Sequence, residues 1–239
     1  MGFQTVFKRY EIKYMLTIAE ANALKEYMKE YMQADKYGKS TICNVYLDTP
    51  DYLLIRRSIE KPTYKEKLRF RSYGVVKDGD VAFFELKKKY DGVVYKRRLD
   101  LTEKAILSSV KIKGNLPDTQ IGRELTYALN LYKDLSPKMF LSYEREAYYA
   151  KKDKSFRITF DRNILWRDYD LSLSSGVYGS AILDHDKVLM EVKTASSIPI
   201  WLCKFLSENK IYKTSFSKYG TAYKIKMSKQ ENREVIASA

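Results

Sequence analysis

Lys13, Arg69, Arg71, Lys87, Arg98, Arg145 and Lys193 share one local setting: each stands within two residues of a bulky apolar or aromatic residue in a short alternating segment. The segments include Glu11-Ile12-Lys13, Leu68-Arg69-Phe70-Arg71, Glu85-Leu86-Lys87, Tyr95-Lys96-Arg97-Arg98, Tyr143-Glu144-Arg145, Arg157-Ile158-Thr159-Phe160-Asp161 and Glu191-Val192-Lys193. A strand has a side-chain period of two, so each segment puts charged groups on one face and hydrophobes on the other. One such strand reads as an ordinary solvated face. Seven with the same bias point to one shared cationic surface, suited to holding a polyanion through Arg and Lys side chains. Glu11, Glu85, Asp100, Asp161 and Glu191 are interleaved and are available to relieve repulsion or to hold a divalent cation.

Other chemistries are disfavoured. The chain has no Walker A loop and no G-x-G-x-x-G run after a strand, and no serine sits in a nucleophile elbow. His185, the only histidine, falls in the polar run Asp184-His185-Asp186-Lys187 and reads as a solvated loop residue. Cys43 and Cys203 lack metal-ligand spacing and read as core thiols. Lys and Arg total 44 against 30 acids, a net charge of +14 that favours an anionic partner. The 239 residues, 45% of them hydrophobic, suffice for a real core. Residues 1 to 6 lack a signal-peptide run, and no stretch approaches the roughly 20 apolar residues of a membrane span; a cytoplasmic location is expected.

These strands need elements to position them. Thr17 and Glu20 have capping-box spacing ahead of a helix over 19–32. A strand over 42–47 ends at Asp48-Thr49-Pro50-Asp51, where a short helical turn begins. Segments 64–73, 81–89 and 93–101 read as a meander, with turns at Asp78-Gly79 and Asp91-Gly92. Thr102 is the expected N-cap of a helix over 103–110, and 119–131 reads as another helix. Strands resume at 137–149, 156–164 and 187–193, followed by a helix over 198–209 and a short one from Lys218 toward Lys226. No Pro-, Gly- or Ser-rich linker divides the chain, so one domain over 1–228 with a polar tail over 229–239 is expected. The expected fold class is α+β: a closed antiparallel β-barrel, its basic faces turned inward, with helices packed outside.

Phe7-Lys8-Arg9-Tyr10-Glu11-Ile12-Lys13-Tyr14, Tyr46-Leu47-Asp48-Thr49-Pro50-Asp51, Leu68-Arg69-Phe70-Arg71-Ser72-Tyr73-Gly74, Phe84-Glu85-Leu86-Lys87, Tyr143-Glu144-Arg145, Met190-Glu191-Val192-Lys193 and Phe216-Ser217-Lys218-Tyr219 together resemble the VTC polyphosphate polymerase domain, one of the triphosphate tunnel metalloenzymes. The resemblance runs in order along nearly the whole chain. It implies a basic tunnel that binds ATP and inorganic polyphosphate with Mn²⁺ or Mg²⁺, and transfer of the γ-phosphate of ATP onto the growing chain. It further implies that Lys13, Arg69, Arg71, Lys87 and Arg145 are wall ligands for phosphate, that Glu191 holds the metal with Glu11 beside it, and that Ser217 and Lys218 meet phosphate at a helix start. Lys96, Arg98, Lys193 and Arg157 join them on phase alone. No nucleic-acid partner is expected, and a membrane-protein partner stays open. Hydrolases of the same superfamily usually carry two alternating glutamates before the first-strand lysine. Here Arg9 takes the outer position, which favours transfer over triphosphate hydrolysis; a non-catalytic polyphosphate or RNA binder is the reading from another class.

Overall fold

The computed structural model describes residues 10–237, with side chains through 232. Arg9 and the rest of the N-terminal segment lie outside the described residues. Ten strands and six α-helices follow in the order β1 (Tyr10–Thr17), α1 (Ile18–Tyr27), β2 (Met32–Asp48), α2 (Leu53–Ile59), β3 (Tyr64–Tyr73), β4 (Val81–Tyr90), β5 (Val93–Thr102), α3 (Glu103–Ile112), α4 (Gln120–Leu131), β6 (Ser136–Ala150), β7 (Arg157–Arg167), β8 (Ser180–Ala181), β9 (Lys187–Thr194), α5 (Ile200–Glu208), β10 (Lys213–Thr214) and α6 (Lys218–Ala237). The helix caps follow local chemistry. Thr17 and Glu20 form the reciprocal capping box of α1, while Thr102 and Thr119 accept from Ala105 and Gly122 backbone N–H groups. Asp91 and Gly92 both take positive φ, as a two-residue hairpin requires.

All strand pairs are antiparallel, and the sheet runs β10-β1-β9-β7-β6-β2-β3-β4-β5, with β8 on β7. This corrects the expected closed barrel: β5 and the two-residue β10 are the ends of an open, curled, tunnel-like sheet, and no ladder joins them. Closure needs strand length and stagger that bring two edges into register, and alternation within strands encodes neither.

The convex face carries two apolar layers. Cys43, Val45, Leu47, Phe70, Phe84 and Leu86 pack under α3 and α4. Tyr14, Leu16, Ile158, Phe160, Met190 and Val192 pack under α1 and α5. The third layer lies on the other side: Tyr46, Met139 and Leu141 of the concave face meet Tyr219 and Ala222 of α6 and Ile55 of α2. Helix α6 therefore occupies part of the concavity, and it runs well past the stop near Lys226 expected from the sequence. Cys203 also departs from expectation. It is exposed on α5, while Cys43 is buried.

Candidate functional site: a cationic concave face

The alternation read along each strand places Glu11 and Lys13 of β1, Arg69 and Arg71 of β3, Glu85 and Lys87 of β4, Lys96 and Arg98 of β5, Arg145 of β6, Asp161 of β7, and Glu191 and Lys193 of β9 on the concave face. They form two linked nests of ions around buried carboxylates.

Glu85 centres the first. Its side chain is 1% exposed. Arg69 donates to Oε2 from Nε at 2.9 Å and approaches with Nη2 at 2.8 Å, and Arg98 donates to Oε1 from Nε at 2.9 Å and Nη2 at 2.6 Å. Lys96 Nζ lies 2.5 Å from the same Oε1, and Arg71 Nε is 4.0 Å from Oε2. Burial alone would raise the carboxyl pKa; Arg69, Arg71, Lys96 and Arg98 outweigh it and hold Glu85 well below the usual range. Burial, with Arg71, Arg69 and Arg98 nearby, pulls Lys96 down to about 7 against the attraction of Glu85. Arg69 reaches Tyr46 Oη at 2.9 Å, and Arg71 donates to Asn44 Oδ1 at 2.9 Å and Tyr143 Oη at 3.1 Å.

Asp161 centres the second nest and is fully buried. Arg145 grips it bidentately at 2.6 and 2.7 Å, and Lys218 Nζ lies 2.5 Å from Oδ2. Burial opposes ionisation, yet Arg145 and Lys218 bring the pKa down to about 2. The Tyr143 ring lies between cations, 5.0 Å from the Arg145 guanidinium and 4.4 Å from Lys218 Nζ. Despite burial, Arg145, Arg71 and Lys218 lower its phenol to about 8.

The segment 216–218, at the start of α6, meets the second nest through Lys218 and also meets two further lysines of the concave face. Lys13 Nζ donates to the Phe216 carbonyl at 2.6 Å, and Lys67 Nζ donates to Ser217 Oγ at 3.0 Å. Ser217 Oγ also accepts from Gly220 N at 3.1 Å, so this hydroxyl caps the helix and faces the cations together. The helix dipole adds partial positive charge at the same place.

Twelve of the thirteen expected site residues thus converge. Arg157 stands on the right phase but at the periphery, 44% exposed and 4.0 Å from Asp35. Asp100 is exposed and stays outside the nests. Lys67 was not singled out from the sequence, although it continues the Arg69, Arg71 phase by one step; burial and the neighbouring Lys13, Lys87 and Lys65 push its pKa well below the ordinary value. Asn44, Tyr46 and Thr159 also face the site, and neutral residues on a cationic phase carry no charge signal. A second buried cation, Arg167, does not belong here. It donates to the carbonyls of Asp170, Gly176 and Tyr178 and stacks on Phe140, clamping the loop after β7.

Among the described residues no group of three or more His, Cys, Asp or Glu forms a ready metal cage. Glu191 is buried between Lys193, 3.3 Å away, and Lys13, its register partner, while Glu11 accepts from Lys87 at 2.6 Å. Burial opposes ionisation of Glu191; Lys193, Lys13, Lys87 and Arg145 override it. Thr159, the register partner of Glu191 on β7, buries an Oγ1 with no hydrogen-bond partner. Two carboxylates and a spare hydroxyl are hard oxygen donors of the kind that suits Mg²⁺ or Mn²⁺, which commonly take only one or two protein carboxylates and fill the remaining positions with water and phosphate.

A family model described as the VTC domain matches residues 8–227. No curated protein matches the chain. An adenylate cyclase candidate from Bacillus halodurans superposes with a TM-score of 0.55 at 13% identity, covering 88% of this chain and 95% of that one. An adenylyl cyclase candidate from Hippeastrum, described as having a dominant triphosphatase activity, superposes with a TM-score of 0.52 at 15% identity, covering 88% and 93%. At these identities the likeness is one of fold.

Proposed function

The chain belongs to the VTC domain family, and on that premise we propose that it is a metal-dependent polyphosphate polymerase that moves the γ-phosphate of ATP onto a growing inorganic polyphosphate chain. The observation that carries this reading is the charge imbalance of the concave face. Lys13, Lys67, Arg69, Arg71, Lys87, Lys96, Arg98, Arg145, Lys193 and Lys218 face four carboxylates, Glu11, Glu85, Asp161 and Glu191. Such an excess is self-repelling unless a polyanion shares the space.

Phosphoryl transfer passes through a loose transition state, so alignment and charge neutralisation can supply most of the catalysis. In this reading Arg69 and Arg71 clamp the donor phosphates, held rigid by Glu85, Tyr46, Asn44 and Tyr143. Arg145 and Lys218, aligned by Asp161, hold the terminal phosphate of the acceptor. One of its oxygens attacks the γ-phosphorus, the bridging bond to the β-phosphate breaks, and ADP departs with the electron pair. Glu191 and Glu11 would hold Mn²⁺ or Mg²⁺, which when bound neutralises phosphate charge and orients the donor. The site contains no histidine, consistent with a reaction that needs no strong base.

A second reading is hydrolysis of a triphosphate, favoured by the fold shared with the Hippeastrum protein. Incubation with ATP and Mn²⁺, assayed for long-chain polyphosphate, ADP and free phosphate, separates them. Polymer together with ADP is expected; free phosphate without polymer sinks the polymerase and supports the hydrolase. Tight polyphosphate binding without turnover leaves a binding module.

A further inference from the structure

The concave face of β3 and β4 continues past the nests toward the β4–β5 hairpin. Lys67 and Lys87 are register partners, and Lys87 pairs in turn with Lys96, so three lysines lie side by side across three strands. Two residues further out, Lys65 and Lys89 are again directly opposite. Like charges at directly opposed positions destabilise a sheet, so this ladder works against folding. Lys61, exposed at the approach to β3, adds a third cation there. Among the described residues the charged neighbours that act most on Lys65 are Lys89, Lys61 and Lys87, all cations, and its Nζ donates to the Ser58 carbonyl at 3.0 Å. Among the described residues none of Lys61, Lys65 and Lys89 has a carboxylate partner, in contrast to Arg69, Arg98, Lys96 and Lys87.

We propose that Lys61, Lys65 and Lys89 form a distal subsite for the far phosphates of a linear inorganic polyphosphate, so that this end of the concave face selects long chains over triphosphate. The inference rests on the polyanion reading of the nests. Four residues of strand separate Arg69 from Lys65 and Glu85 from Lys89, about 13 Å. A triphosphate anchored on Arg69 and Arg71 ends before it reaches them, whereas a longer chain continues along the ladder. Most interior cations share Glu85, Glu11, Glu191 or Asp161 and contact the nearer phosphates, whereas these three lysines have no carboxylate among the described residues and offer unneutralised charge to the phosphates added further along.

The test compares binding of inorganic tripolyphosphate and of long-chain polyphosphate to the wild-type chain and to the Lys65→Ala/Lys89→Ala variant. Long-chain affinity is expected to fall about 10- to 30-fold, with its salt dependence shallower by about 1.4 units for the two lysines removed, while tripolyphosphate affinity stays unchanged. The variant's melting temperature should hold or rise, because a repulsion is removed. Equal losses for both ligands, or no loss for either, would overturn the subsite. A wild-type chain that binds neither ligand would instead overturn the polyanion reading from which the subsite follows.

Discussion

Lys87 of β4 donates to Glu11 of β1 at 2.6 Å, although the two strands are separated in the sheet by β9, β7, β6, β2 and β3. Side chains thus span the mouth that main-chain pairing leaves open. The pair is partly shielded, 35% and 13% exposed, so a coupling of about 1 kcal/mol is expected. A thermal double-mutant cycle with Lys87→Ala and Glu11→Ala measures it, and strictly additive effects would show that the contact does not hold the sheet's curl.

Glu85→Ala should be far more costly than an ordinary surface change. Removing the carboxylate leaves Arg69, Arg98 and Lys96 without their shared partner in a buried setting, a loss of about 3–5 kcal/mol. Added tripolyphosphate should recover much of it, since a bound anion replaces the missing charge. Calorimetry with and without the ligand reads both effects; an unchanged melting temperature would mean the cations are relieved by solvent.

Lys96, drawn down to about 7, and Lys67, also drawn well below its usual value, set the pH response. A lysine depressed in the folded state binds fewer protons there than in the unfolded chain between its folded pKa and about 10.5, so stability rises with pH across that window. The unliganded protein should therefore gain melting temperature from pH 7 toward 9 from this contribution. Polyanion affinity should move the other way, because the neutral amines no longer attract phosphate. Titration of binding over the same range checks this, and a flat affinity profile would refute it.

Arg71→Ala is expected to abolish turnover and also to cost stability. A lumen arginine read from sequence need support no packing, but Arg71 is 7% exposed and donates to Asn44 and Tyr143. Leaving those oxygens without their donor costs about 1–3 kcal/mol. Arg71→Lys should restore part of the stability and little of the activity, since an ammonium cannot reproduce the fork. Equal rescue of both by lysine would reduce Arg71 to a structural role.

The sequence by itself determined the strands and their phase. Period-two alternation is local, and it placed Lys13, Arg69, Arg71, Lys87, Lys96, Arg98, Arg145 and Glu191 on one face of their strands without knowledge of any partner. Capping at Thr17 and Thr102 and the Asp91-Gly92 turn are equally local, and each was legible; Thr119, read as the first residue of its helix, proves to be its cap. Pairing between distant segments is not. Only the tertiary structure decided that the sheet stays open between β5 and β10, that α6 enters the concavity with Tyr219 stacked 4.5 Å from Tyr46, and that Glu85 and Asp161 each gather several cations. Those outcomes depend on strand stagger, on the depth of each buried charge and on side chains meeting across more than a hundred residues of chain, as Lys67 meets Ser217. No periodicity carries such distances, because they are set by how the whole sheet curls.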